Sequence, residues 1–174
     1  MSQSKSQIEV DDNVKKLLGG LKISEPQNLV VLKDIILNYL TFCPYDKDTK
    51  IKADRLQWKR TASEIIRDGY VYTGKACSDL AIVYLALARA ARRTGQLVKL
   101  ISFEGQKTHT IVEIELDKGW YRLDPSAIDS QPFAGQLAAD AIWNNKYKVW
   151  KKGRDLWDLG LAGIEAEAEM FNEN

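Results

Sequence analysis

A thiol, an imidazole and a carboxylate follow one another along the chain at Cys77, His109 and Asp124, each where a regular element is expected to begin or end. His109 is the single histidine of the 174 residues. Imidazole is the usual protein base that titrates near neutrality, so a cysteine mechanism at neutral pH has one histidine to draw on. Cys77 lies in Gly74-Lys75-Ala76-Cys77-Ser78-Asp79-Leu80-Ala81, directly ahead of a strong helical pattern. The unpaired N–H groups of a helix start favour negative charge, which depresses a thiol's pKa and also suits a developing oxyanion. Gly74 would let the backbone approach a substrate closely. The bland readings are a cysteine packed as a small apolar residue and a satisfied, half-buried strand histidine. Cys43, just before Pro44 with no helix start after it, takes the bland reading.

What must position these groups is a helix and a set of strands. Ser78 to Thr94 reads as a central buried helix, with Leu80, Val83, Tyr84, Leu87, Ala88 and Ala91 on one face and arginines toward its C-terminal pole; Gly95 is expected to cap it. Strands are expected over Leu97 to Phe103, Thr108 to Leu116 and Trp120 to Leu123. Upstream, Pro26 opens a helix with Leu29, Leu32, Ile36, Leu37 and Leu40 near helical spacing, ending before Pro44. A polar loop runs from Pro44 to Lys52. Thr61 to Gly69 reads as a short helix with a glycine stop, and Tyr70 to Gly74 as an extended loop leading to Cys77.

Residues 1–25 read as a flexible N-terminal tail and residues 26–174 as one domain, its core at about 30–126 and a C-terminal helical extension over 130–174. Lys146, Lys148, Lys151, Lys152 and Arg154, interleaved with Trp143, Tyr147, Trp150 and Trp157, are expected to form an amphipathic helix with solvated lysines. Helix, then antiparallel strands, then more helix is an α+β arrangement.

The hairpin decides whether imidazole and carboxylate meet. A connection centred between Leu116 and Asp117 puts His109 directly opposite Asp124, with Cβ atoms within about 5.5 Å. Thr110, Val112 and Ile114 then share a face with Tyr121 and Leu123, and His109, Ile111 and Glu113 share the other with Trp120, Arg122 and Asp124. A tighter turn at Lys118-Gly119 instead sets Glu113 across from Asp124, and the three groups then need a bulge to converge.

The bulk numbers narrow the function classes. Twenty-five Lys+Arg against 24 Asp+Glu leave a net charge of +1, which gives no electrostatic reason to expect nucleic acid or an anionic membrane. No apolar run approaches a membrane span, and with two cysteines the chain reads as cytoplasmic without a disulfide. Two cysteines and one histidine make a poor zinc site, so neither metal nor cofactor is expected.

The blocks Gly74 to Ala81, Thr108-His109-Thr110-Ile111-Val112-Glu113 and Gly119-Trp120-Tyr121-Arg122-Leu123-Asp124-Pro125 resemble, in order and spacing, the core of the transglutaminase-like superfamily. That group includes transglutaminases, peptide:N-glycanases and many microbial candidate proteases, and its architecture is related to papain-type cysteine proteases. The resemblance implies a central helix bearing cysteine at its N-terminus, packed on an antiparallel sheet, here with extra C-terminal helices. It implies Cys77 as nucleophile, His109 as general base and acid, and Asp124 as the orienter of the imidazole. Many members carry glycine directly before the cysteine or two before it, where this chain has Ala76 and Lys75. Trp58, Tyr70 and Tyr72 are candidates for a side-chain oxyanion donor, and Tyr70, Tyr72 and Trp120 either line a cleft or seal a core edge. The expected activity is acyl transfer from an amide bond of a protein or peptide through a thioacyl-enzyme, to water or to an amine. The alternative is a binding module that keeps this fold without the chemistry.

Overall fold

The computed structural model describes residues 6–173. Its spine is the helix that the alanine-rich apolar run predicts, α5 (Ala76–Ala90), whose residues Leu80 to Ala88 are all buried. A helix apolar on every side has to be enclosed by other elements. On one side lie α1 (Asp12–Leu18), α2 (Pro26–Tyr39) and α4 (Ala62–Asp68); on the other lie the strands β3 (Gly95–Ser102) and β4 (Thr108–Leu116). Tyr84, fully buried in α5, satisfies its hydroxyl by donating to the Leu29 carbonyl of α2 at 2.8 Å.

Local signals explain most boundaries. Pro26 sits in the first turn of α2, where the missing N–H costs nothing. Thr61 and Glu64 form a reciprocal capping box at the start of α4, and Gly69, with φ 74°, ends it in the left-handed conformation. The short strand β1 (Thr41–Cys43) and α3 (Lys50–Leu56) stand between α2 and α4, and β2 (Tyr70–Tyr72), which follows α4, pairs with β1 in parallel. The segment before Cys77 is thus partly a strand rather than a loop throughout. Gly95 does not cap α5, whose last turn closes on Ala91. It opens β3 instead, where an added Cβ would stand 2.6 Å from Ile114 and 2.8 Å from Leu85, so glycine permits close contact of helix and sheet.

The antiparallel sheet runs β6-β5-β4-β3-β8-β7, with β5 (Gly119–Leu123), β6 (Phe133–Ala134), β7 (Ile142–Trp143) and β8 (Tyr147–Gly153). Its helix-facing side joins the main core through Leu97, Val112, Ile114 and Leu123; Val98, Leu100, Ile111 and Leu137 form a smaller cluster on the opposite side.

Three expectations are corrected. The stretch read as a flexible tail packs in its described part: Ile8, Val14, Leu18 and Ile23 are buried, and Asp11 caps α1 by accepting from the Val14 N–H. Residues 1–5 of that call lie outside the described residues. The C-terminal helical extension consists of β6, β7, β8 and one helix, α6 (Glu165–Asn172). Tyr147 and Val149 pack against the smaller cluster while Lys152 reaches buried Glu113, and hydrogen bonding along β3 outweighs the helix-like spacing of the aromatics. The hairpin register also differs from both alternatives. Asp117 and Lys118 form a two-residue turn, so Leu116 pairs with Gly119 and Val112 with Leu123.

Candidate active site

Each of the three groups is set by the end of an element. Cys77 is the second residue of α5, half-buried at the end where backbone N–H groups lack helical partners. His109 is the second residue of β4, opposite Leu100 of β3. Asp124 follows the last residue of β5. The observed register moves the expected pairing by two residues, so the two faces of the hairpin survive, and His109 stands diagonal rather than opposite to Asp124. A diagonal neighbour lies within reach of a long side chain. The contact forms without a bulge, with His109 Nε2 2.6 Å from Asp124 Oδ2.

Asp124 is held from several sides. Its Oδ1 accepts from the Ser126 hydroxyl at 2.6 Å and from the Ser126 backbone N–H at 2.9 Å, and its own N–H donates to Ser130 Oγ at 3.0 Å. The turn carrying these serines is tied down by Lys33 of α2. Its fully buried ammonium donates to the carbonyls of Ala127, Ile128 and Ser130 at 3.3, 2.6 and 2.8 Å. The His109 ring also packs beside Tyr147 of β8, with centroids 5.6 Å apart.

The electrostatics favour an ion pair. Burial opposes the Cys77 thiolate, but a hydrogen bond with His109 and the nearby Lys99 charge outweigh it and bring the thiol down to about 7. Burial likewise opposes the His109 imidazolium, but hydrogen bonds with Asp124 and Cys77 raise it to about 10. Burial also pushes the Asp124 carboxyl up, yet its bonds to His109 and Ser126 hold it below the usual range. With Nε2 committed to Asp124, Nδ1 is the nitrogen left for the thiol.

Cys77 and His109 line an open cleft of about 540 Å³, with Gln57, Trp58 and Lys75 along one wall and Tyr147 along another. Of the aromatic residues singled out earlier, Trp58 lines this cleft. Tyr70, Tyr72 and Trp120 do not: Tyr70 and Tyr72 sit edge to face at the two ends of β2, and Trp120 lies in β5 with its carbonyl bonded to the Gly135 N–H.

Gln57 and Lys99 escape a reading by residue type. The Gln57 carbonyl oxygen accepts from Lys75 Nζ at 3.2 Å, which leaves its NH2 group available to donate on the wall of the cleft that Cys77 also lines. Its adjacency to Trp58 was the available signal. Trp58 has φ 60°, and its carbonyl accepts from Gln7 Nε2 at 3.1 Å and from Trp157 Nε1 at 3.0 Å, bonds that hold this left-handed residue in place. Arg60, two residues on, is nearly fully buried. It pairs with Asp79 of α5 at 2.6 Å and Asp68 of α4 at 3.2 Å, anchoring the same wall to the helix that bears the cysteine.

No family model and no curated protein matches the chain. Among solved structures it is similar to a candidate cysteine protease from Cytophaga hutchinsonii, with a TM-score of 0.56 and 16% identity over 89% of this chain and 48% of that one. The chain spans about half the length of that structure. It is also similar to Legionella pneumophila LapG, with a TM-score of 0.49 and 18% identity over 95% of this chain and 91% of that one. A TGase gives a TM-score of 0.45 and 16% identity over 75% of this chain and 35% of that one. The first likeness shows the fold, an α+β fold of the papain/transglutaminase-like kind, as the motif resemblance implied. Among the described residues no helix is long and apolar enough to cross a membrane.

Proposed function

We propose that the protein is a cysteine-nucleophile acyl-transfer enzyme acting on amide bonds of a protein or peptide, through a thioacyl-enzyme and a Cys77-His109-Asp124 triad. One observation carries this reading: the lone histidine is bonded to Asp124 at 2.6 Å and shares one open cleft with a thiol at a helix start.

In the first half-reaction the Cys77 thiolate attacks the amide carbonyl carbon, and the C=O electrons move onto oxygen. Backbone N–H groups at the start of α5 face that oxygen, with the Gln57 NH2 and the Trp58 indole as side-chain donors at the same wall. As the tetrahedral intermediate collapses, the His109 imidazolium gives its proton to the departing amine, leaving a thioester on Cys77. In the second half-reaction neutral His109 takes a proton from water or from an acceptor amine, whose attack releases acid or a new amide and restores the thiolate. Asp124 stays ionised throughout and fixes the ring.

The test needs no known substrate. Iodoacetamide alkylation followed by peptide mass mapping, which separates Cys77 from the free Cys43, should give a Cys77 rate profile with its midpoint near 7, below the ~8.5 of a free thiol. A rate that rises only around the free-thiol value overturns the enzymatic reading and leaves a binding module on this fold. Glutamine peptides with and without a labelled amine then separate hydrolysis from transfer, since ammonia loss, cleavage and label uptake report different second half-reactions.

A further inference from the structure

We propose that Lys99 is a charge-setting and positioning residue of this site, its buried ammonium clamped behind the nucleophile and the base so that it stabilises the Cys77 thiolate. The inference rests on the reading of Cys77 as a thiolate nucleophile. Lys99 lies in the middle of β3, is fully buried, and pairs in register with Thr110 of β4. Its Nζ donates to Thr110 Oγ1 at 3.0 Å and to Ser78 Oγ at 3.3 Å, and those two hydroxyls are themselves 2.8 Å apart. Ser78 directly follows Cys77, and Thr110 directly follows His109. One ammonium therefore ties the start of α5 to the start of β4 at the positions adjoining the thiol and the imidazole.

The ammonium's third face meets the ring of Trp58, 4.5 Å from the centroid, so the indole that walls the cleft rests on the same cation. All three contacts satisfy the ammonium without cancelling its charge. Among the described residues no carboxylate forms an ion pair with Lys99. A buried ammonium without a counter-ion is costly, and methionine would fill the same space without that cost, so packing gives no reason for lysine here.

The charged groups around the site account for the direction. On Cys77 of α5 act His109 of β4, Lys99 of β3 and, in opposition, Asp124. On Lys99 itself burial acts first, bringing it down to about 8; Cys77 and Glu167 of α6 favour its charge and Lys75 opposes it. Each group thus favours the charged form of the other, the ammonium the thiolate and the thiolate the ammonium. Burial, Asp124 and Cys77 are the largest influences on His109, whereas Lys99 is among the largest on Cys77.

The experiment compares iodoacetamide profiles of wild type, Lys99→Met and Thr110→Val, with folding checked by circular dichroism. Lys99→Met should raise the Cys77 midpoint by about one pH unit or more, the effect of removing a nearby opposite charge. Thr110→Val removes one hydroxyl but keeps the ammonium, and should move the midpoint by less than half as much. An unchanged midpoint in folded Lys99→Met overturns the proposal, as does an equal shift in Thr110→Val, which would assign the effect to packing. If Lys99→Met does not fold, 13C-lysine-labelled wild type and Cys77→Ala decide, because coupling is reciprocal. Lys99 should titrate lower once the thiolate is absent, and an unmoved Lys99 titration overturns the proposal. A wild-type midpoint in the ordinary thiol range defeats the parent reading, whereas a low wild-type midpoint unmoved by Lys99→Met defeats only this one.

Discussion

The His109 ring holds a proton between two groups that both want it charged, a carboxylate at 2.6 Å and a thiol that ionises near 7. Removing the carboxylate charge destabilises the imidazolium, so Asp124→Asn should lower the His109 pKa from about 10 toward the ordinary 6.5 by about 1–3 units. Because the chain has one histidine, a single ring resonance reports this in an NMR titration, and an unmoved midpoint would show that Asp124 does not charge the ring. In the same series His109→Ala should move the Cys77 alkylation midpoint up into the ordinary thiol range or above, since burial then acts without its main opponent. At this scale Cys77, His109 and Asp124 were legible because their types are scarce or stand at element ends. Lys99 was not. It alternates in β3 with apolar neighbours, and a single lysine in such a run carries no signal of burial. Its partners, Ser78 of α5, Thr110 of β4 and Trp58, are far from it in the chain, so no local pattern announces that the position is interior.

Between elements, the contact that most directly governs the site is the strut from α2 to the turn after Asp124. Lys33 closes three carbonyls with one ammonium and contacts none of the reacting groups, so its role is to hold the shape of residues 124–130. Lys33→Met should cost about 2–3 kcal/mol in urea denaturation, the range expected when buried acceptors lose a charged donor. The amides of Asp124, Ser126 and Ser130, bonded within this turn, should also exchange faster while those of α5 keep their protection. Equal exchange across the turn in both proteins would refute the strut. The hairpin of β4 and β5 was legible to within two residues because alternation fixes the faces and not the exact pairing. The strands of the C-terminal third were not, since Tyr147, Trp150 and Lys151 fit a helical stripe as well as a bulged strand; β8 does shift register opposite Lys99 and Leu100.

Across the whole molecule, the start of the described chain meets the segment that follows β8 beneath the cleft wall. Gln7, nearly fully buried, donates to the carbonyls of Trp58 and Arg60 at 3.1 and 2.9 Å and accepts from the Leu156 N–H at 3.1 Å, while Ser6 Oγ donates to Asp155 at 2.6 Å. Short polar stretches hide such roles in a sequence, because a glutamine that bridges three backbone groups looks like any solvated one. The N-terminal segment therefore supports both the core and the site, which separates two outcomes. A variant beginning at Pro26 loses Ile8, Val14, Leu18 and Ile23 from the core, each worth about 1.5–3 kcal/mol, together comparable with the whole stability of an ordinary domain. It should fail to give a cooperative urea transition, whereas a loosely held tail would leave the midpoint where it is in the full chain. Gln7→Ala keeps those apolar contacts and removes the bridge alone, so it should fold with a loss of about 2–3 kcal/mol. In that variant Trp58, freed from one of the two bonds to its carbonyl, should show altered tryptophan fluorescence and faster alkylation of Cys77 as the wall loosens. An unchanged alkylation rate at reduced stability would confine Gln7 to the core and detach the N-terminal segment from the chemistry.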